Sequence, residues 1–201
     1  MQHSADSKLG TLTSPDRVRI QILLGSTREG RFGDRVANWF YGVATKREDL
    51  IAELIDLRDW PLPFFDGAAP PASGRYDDPA QRAWAAHVAR ADAYVLITPE
   101  YNHGYPAVLK NALDTVFAEW GGKPVGFVGY GGPGGGVRAV EQLRQVVIEL
   151  DMVPLREQVM LQRVYAAFDE SGHLREAWLD ADVTTLLDAL ARQLSRSQVA
   201  A

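Results

Sequence analysis

The chain of 201 residues contains no cysteine. That excludes a disulfide framework, a thiolate zinc site and a cysteine nucleophile in one stroke. It also lacks any apolar run of the ~18–20 residues that a bilayer span needs, so no membrane segment is expected. Cations are not in excess: 21 Lys and Arg stand against 26 Asp and Glu, a formal net charge of −5. A nucleic-acid binder needs clustered Lys and Arg to neutralise phosphates, and this composition argues against one. Histidine is scarce, with four in all. His3 lies in the N-terminal arm, His87 in a helical segment, His173 near the C-terminal end and His103 in a loop. Acidic residues do not cluster with them at ligand spacing, so no metal site is expected. Residues 1–16, MQHSADSKLGTLTSPD, have neither a hydrophobic core nor a small-residue cleavage pattern. They read as a flexible polar arm rather than a signal peptide, and a cytoplasmic protein is the expectation.

What is present is 46% hydrophobic residues in a length that suits one domain, taken as 17–201. RVRIQILLG has the apolar, β-branched character of a buried strand and stops at a glycine. GDRVANWFYGVATKR follows with Val36, Trp39, Phe40 and Val43 at helical spacing. DLIAELIDL reads as a second strand, and the proline-rich segment from Arg58 to Asp78 as a long loop. DPAQRAWAAHVARA is a helix with Asp78 as cap and Pro79 at its first position. ADAYVLITPE is the third strand, PAVLKNALDTVFAEW a helix, KPVGFVGYG a strand and VRAVEQLRQVVIEL a helix. MVPLREQVMLQ is an irregular last strand. ADVTTLLDALARQLSR closes the chain as a helix, with Val183, Leu186, Leu187, Leu190 and Leu194 on one stripe. Strict alternation of this kind predicts a parallel sheet with helices on both faces.

Open α/β sheets bind ligands beyond the carboxyl ends of their strands, and the segments there are unusual. GSTREGRFGD (25–34) joins the first strand to the first helix, placing Ser26, Arg28 and Arg31 around a helix N-terminus with its unsatisfied N–H groups. It matches neither G-x-x-x-x-G-K-[ST] nor G-x-G-x-x-G, so a monophosphate is favoured over a triphosphate or a dinucleotide. On this loop alone, a phosphate seat and an ordinary surface turn are equally good readings. PEYNHGYPAVLKNALD (99–114) supplies flat and hydrogen-bonding groups suited to a planar heterocycle. GYGGPGGG (129–136) holds more glycine than a turn requires, which suggests close backbone approach to a ligand, with a flexible linker as the alternative.

Taken in order, these three segments resemble the NADPH-dependent FMN reductase family, over about residues 17–162. The resemblance implies a flavodoxin-like, doubly wound five-stranded parallel sheet of order 2-1-3-4-5, a topology the general rule for such sheets names as FMN-binding. It implies non-covalent FMN, NADPH or NADH as donor, small acceptors such as quinones, and a homodimer or homotetramer. Ser26, Arg28, Arg31, Phe32 and Gly33 match the FMN-phosphate loop. Pro99, Glu100, Tyr101 and Asn102 match the isoalloxazine loop, and Gly131 and Gly132 the glycine turn by the ring. His103 could position a substrate, or simply contact a backbone carbonyl or a neighbouring subunit. A flavodoxin-type electron carrier without nicotinamide activity is the alternative function, and a flavin-free binding module a third. The helix after the third strand, with Val108, Leu109, Leu113, Val116 and Phe117, together with Trp120, carries apolar residues beyond one sheet-facing stripe and is the expected subunit contact.

Overall fold

The computed structural model describes residues 17–200; the arm of residues 1–16 lies outside them. Five parallel strands form one sheet in the order β2-β1-β3-β4-β5. They are β1 (Val18–Leu24), β2 (Leu50–Asp56), β3 (Ala93–Pro99), β4 (Pro124–Tyr130) and β5 (Val153–Leu161). β1 lies inside the sheet, pairing Ile22 with Leu54 on one side and with Val95 on the other. The irregularity expected of the last strand is present as a register shift between Val125 and Phe127 where β4 meets β5. The helices are α1 (Gly33–Ala44), α2 (Pro79–Val88), α3 (Ala107–Asp114), α4 (Val137–Glu149), α5 (Val164–Ala167) and α6 (Leu179–Ala200).

Side chains alternate across the sheet and so feed two cores. Ile20, Ile22 and Leu24 of β1 join Val36 and Phe40 of α1 and Val183, Leu186, Leu187 and Leu190 of α6. Leu23 joins Trp84, Leu96, Leu109, Trp120, Phe127 and Leu143 on the other face. Asp78 caps α2 by accepting from the Gln81 N–H at 2.9 Å, with Pro79 at the first helical position, as its sequence predicts.

One helix is shorter than its periodicity predicts. α3 ends at Asp114: the Phe117 N–H, which a continuing helix would aim at the Leu113 carbonyl, donates instead to the Tyr76 hydroxyl at 3.2 Å, and the Trp120 indole donates to the carbonyls of Leu113 and Val116 (both 3.1 Å). Leu109, Leu113, Val116 and Trp120 are fully buried in this chain's own core, and Val108 and Phe117 pack against the same core half-buried. Most of this apolar set thus serves the chain's own core, and Val108 and Phe117 are the members that keep surface for a partner.

Gln21 is the polar exception inside β1, fully buried. Its Nε2 donates to the His87 carbonyl at 2.9 Å and to Glu53 at 3.2 Å. The His87 ring sits 4.7 Å from Trp60 and stacks on Trp84 at 6.1 Å. Burial lowers its pKa, Glu53 opposes this, and Arg90 adds to it. The unfolded chain thus binds a proton at this residue more readily than the folded one. Stability should be complete above the ordinary value of 6.5 and fall as the pH drops below it. In His87→Phe, which keeps a ring between the two indoles, that part of the fall should vanish; unfolding midpoints across the pH range check it. An equal fall in the variant would assign the effect elsewhere.

Candidate functional site

At the carboxyl ends of β1, β3 and β4 lies a cleft of about 290 Å³. The β1 side is built by the loop that enters α1. Arg35 and Val36 N–H already bond to the Phe32 carbonyl, so the N–H groups of Gly33 and Asp34 are left without helical acceptors. No side chain caps them, since Phe32 occupies the cap position. Ser26, fully buried, shares a 2.7 Å hydrogen bond between its Oγ and the Tyr101 hydroxyl, with either atom able to donate. The Arg28 guanidinium lines the cleft and has no partner among the described residues.

Arg31 also reaches the cleft, but its donors are occupied. Nε bonds Asp34 at 2.8 Å, Nη1 bonds Asp56 at 2.8 Å and the Ser26 carbonyl, and Nη2 bonds Asp34 at 2.5 Å and Asp56. All five N–H groups of a guanidinium are thereby used. Burial opposes the Arg31 charge, yet the two carboxylates outweigh it and raise its pKa. Burial likewise raises Asp56, and Arg31, with the Arg58 N–H, overrides that and holds the carboxyl below the usual range. Arg58 reaches the same loop, donating to the Arg28 carbonyl at 2.7 Å. Arg31, Asp56 and Arg58 are therefore braces that fix the shape of the seat.

Tyr130, at the end of β4, is 3% exposed, and its hydroxyl has no hydrogen-bond partner. Burial above all raises its pKa, the neighbouring Tyr101 adds to the rise and the Arg31 charge only tempers it, so it stays protonated and can donate. A Cβ on Gly33 would sit 2.6 Å from that hydroxyl, which places the orphan donor directly against the N-terminus of α1. An unpaired buried hydroxyl, two free N–H groups, a serine and a free guanidinium converge here. This donor set suits a phosphate monoester, and the phosphate of FMN fits it.

The other end of the cleft is built by the loops that follow β3 and β4. Pro99 ends β3, and Glu100 is turned toward α4, where it accepts from the Arg138 N–H at 3.2 Å and pairs with the Arg138 guanidinium. Burial raises the Glu100 carboxyl, and Arg138 more than offsets it. Gly131 and Gly132 lie on the wall with no close contact to a built Cβ, so nothing inside the chain demands glycine there. Gly135 and Gly136 differ: they have φ of +60° and +88°, and a Cβ on Gly136 would meet the Tyr130 nitrogen at 2.6 Å. Part of the glycine run thus serves its own turn, and the remainder faces the cleft.

Asn102 and His103 do not line the cleft. They occupy the two central positions of a turn closed by reciprocal Tyr101 and Gly104 backbone bonds, with φ of 50° and 71°. Gln142 anchors the turn by donating to the His103 carbonyl at 3.0 Å. Tyr165 has no signal in the sequence, yet it belongs to the site. It stands on α5, 72% exposed, with its ring edge-on to Phe32 at 5.3 Å and on the cleft wall. Among the described residues no group of three or more His, Asp or Glu could hold a metal, and no helix is long and apolar enough to cross a membrane.

A parallel sheet of this order, with a donor-lined cleft at the β1–α1 turn, defines a flavodoxin-like protein. The sequence pattern of the NADPH-dependent FMN reductase family matches residues 18–166, and the chain belongs to that family. It is 39% identical over 148 residues to an NAD(P)H-dependent FMN reductase of Schizosaccharomyces pombe, covering 70% of this chain and 74% of that one. A 2-hydroxy-1,4-benzoquinone reductase of a Burkholderia species is 32% identical over 163 residues, 77% of this chain and 81% of that one. Among solved structures, a flavoenzyme NAD(P)H:(acceptor) oxidoreductase from Paracoccus denitrificans has the same fold, with a TM-score of 0.71 at 21% identity over 88% of this chain and 98% of that one.

Proposed function

We propose that residues 17–201 act as one FMN-holding domain of an NAD(P)H-dependent oxidoreductase that reduces small acceptors, quinones foremost. The observation that carries this reading is the unpartnered Tyr130 hydroxyl facing the free N-terminus of α1 beside the unpaired Arg28. When bound, FMN supplies the hydride and electron chemistry that no side chain here could supply. Arg28, Ser26, Tyr130 and the first N–H groups of α1 hold its phosphate. Pro99, Tyr101, Gly131 and Gly132 shape the other end of the cleft, where glycine backbone allows close stacking. Glu100, pinned by Arg138, keeps its charge turned toward α4. The name of the Burkholderia relative supports quinones as the acceptor class.

The test is direct. The purified protein should carry a flavin absorption band, NADPH should bleach it without oxygen, and a benzoquinone should restore it. A band that NADPH leaves untouched would favour the electron-carrier alternative, and a protein that binds no flavin would overturn both. Arg28→Ala should weaken FMN binding roughly ten- to a hundredfold, the loss of one charge-assisted bond of ~1.5–3 kcal/mol, with the melting temperature of the flavin-free protein unchanged. Fluorescence titration measures it; unchanged affinity removes Arg28 from the seat. Assembly as a homodimer or homotetramer belongs to the same reading. Phe64, 77% exposed, and Ile148, 61% exposed, are apolar groups a second copy would cover. A mass near 22.1 kDa by light scattering at working concentration would count against assembly.

A further inference from the structure

Beside the cleft lies a second hollow of about 570 Å³, within the ~300–1,000 Å³ usual for small-molecule sites. The two share a wall: the Arg163 N–H donates to the Gly132 carbonyl at 2.8 Å and the Val164 N–H to the Gly131 carbonyl at 2.9 Å. Gly132 and Val164 face the cleft, while their chain neighbours Pro133 and Arg163 face the hollow. Met160 and Leu161 contribute apolar surface, and Trp178 stands at its side 60% exposed. Arg163 and Glu176 are both lining residues, and neither side chain has a hydrogen-bond or ion-pair partner among the described residues. Arg163 holds φ of 46°, an uncommon conformation for a residue with a side chain.

An exposed indole beside an unpaired cation and an unpaired carboxylate is a poor seat for a plain quinone, which would leave both charges unanswered. It matches a nucleotide: a purine stacks on the indole, a phosphate takes the planar guanidinium, and ribose hydroxyls donate to the carboxylate. We infer that this hollow binds the adenosine-phosphate half of the nicotinamide donor, with Trp178 under the adenine and Arg163 on a phosphate. The inference rests on the proposed flavoenzyme activity, whose nicotinamide end must reach the β3 and β4 end of the cleft past Gly131 and Gly132. The wall between the two cavities is one residue deep, Gly132 beside Pro133 and Val164 beside Arg163, so one dinucleotide can lie across it with an end in each.

The experiment follows bound-flavin reduction by stopped flow with two donors, NADPH and 1-methyl-1,4-dihydronicotinamide, which lacks adenosine and phosphate. In Trp178→Ala and Arg163→Gln the NADPH concentration for half-maximal rate should rise about tenfold with the limiting rate unchanged. The methyl donor should react with the variants as with the unaltered protein. Trp178→Phe, which keeps a stacking face, should recover most of the NADPH affinity. FMN affinity, read by flavin fluorescence, should stay unchanged in all three. If NADPH dependence does not move, or both donors weaken alike, the adenosine site is wrong while the flavoenzyme reading stands. If neither donor reduces the unaltered protein, that reading falls and this inference with it. A change of mass in Trp178→Ala with unchanged NADPH dependence would make the surface a subunit contact and overturn the inference.

Discussion

Arg31→Ala is expected to lower unfolding stability by about 2–3 kcal/mol and to weaken FMN binding at the same time. The side chain is 2% exposed and holds Asp34, Asp56 and the Ser26 carbonyl in one fork. A fully buried ion pair losing one member costs ~3–5 kcal/mol. Here Asp56 and Asp34 keep 26% and 46% of their side chains in water, so the penalty for stranding them is smaller. The pH dependence follows from Asp56, whose folded pKa is depressed. Its contribution is present above the unfolded carboxyl pKa and disappears as the pH falls through the folded one. Denaturant unfolding of Arg31→Ala should therefore show less acid destabilisation below about pH 4 than the unaltered protein. Asp56→Asn separates two roles for Arg31. If the arginine is a brace, freeing it loosens the seat and FMN affinity falls. If it grips phosphate, the freed guanidinium raises affinity, and the assignment of Arg31 as a brace is wrong.

That role marks where the sequence stops being informative. The sheet is legible in it because apolar strands alternate with amphipathic helices, and parallel order then places the ends of β1, β3 and β4 together whatever their detailed geometry. Arg28, Gly33, Tyr101, Gly131 and Gly132 can be assigned to those ends from position alone. The partner of Arg31 cannot: Asp56 stands 25 residues away at the end of β2, and no local pattern ties them. Tyr130 is hidden for a similar reason, since the glycines after it carry the local signal whereas its own meaning depends on the approach of Gly33. Tyr165 lies on a four-residue helix, too short to show a period. Asn102 and His103 sit in the expected loop, but two successive positive φ angles fold it into a turn that carries them off the cleft wall.

Tyr130→Phe is expected to move stability and binding in opposite directions. An unpartnered buried hydroxyl costs ~1–3 kcal/mol of desolvation, and replacing it with an apolar ring of the same shape removes that cost. The flavin-free variant should thus melt higher than the unaltered protein. Its FMN affinity should drop roughly tenfold, because the hydroxyl that the fold leaves unsatisfied is the one the phosphate would satisfy. Gly33→Ala tests the same contact from the other side. Its Cβ would stand 2.6 Å from the Tyr130 oxygen and 2.8 Å from the Leu24 Cδ1. The leucine methyl can rotate, whereas the tyrosine ring is held within β4 at 3% exposure. Overpacking of this kind costs ~1–3 kcal/mol. In a Tyr130→Phe background the nearest ring atom is the carbon at 3.5 Å, so most of the clash disappears. The two substitutions should therefore couple: Gly33→Ala should destabilise the Tyr130→Phe variant less than it destabilises the unaltered protein, so that in a double-mutant cycle the pair is less destabilising than the sum of the singles. Additive effects on the melting temperature would mean that hydroxyl and glycine do not meet. A Tyr130→Phe protein that melts lower and binds FMN as before would give the hydroxyl a structural partner and take it out of the phosphate seat.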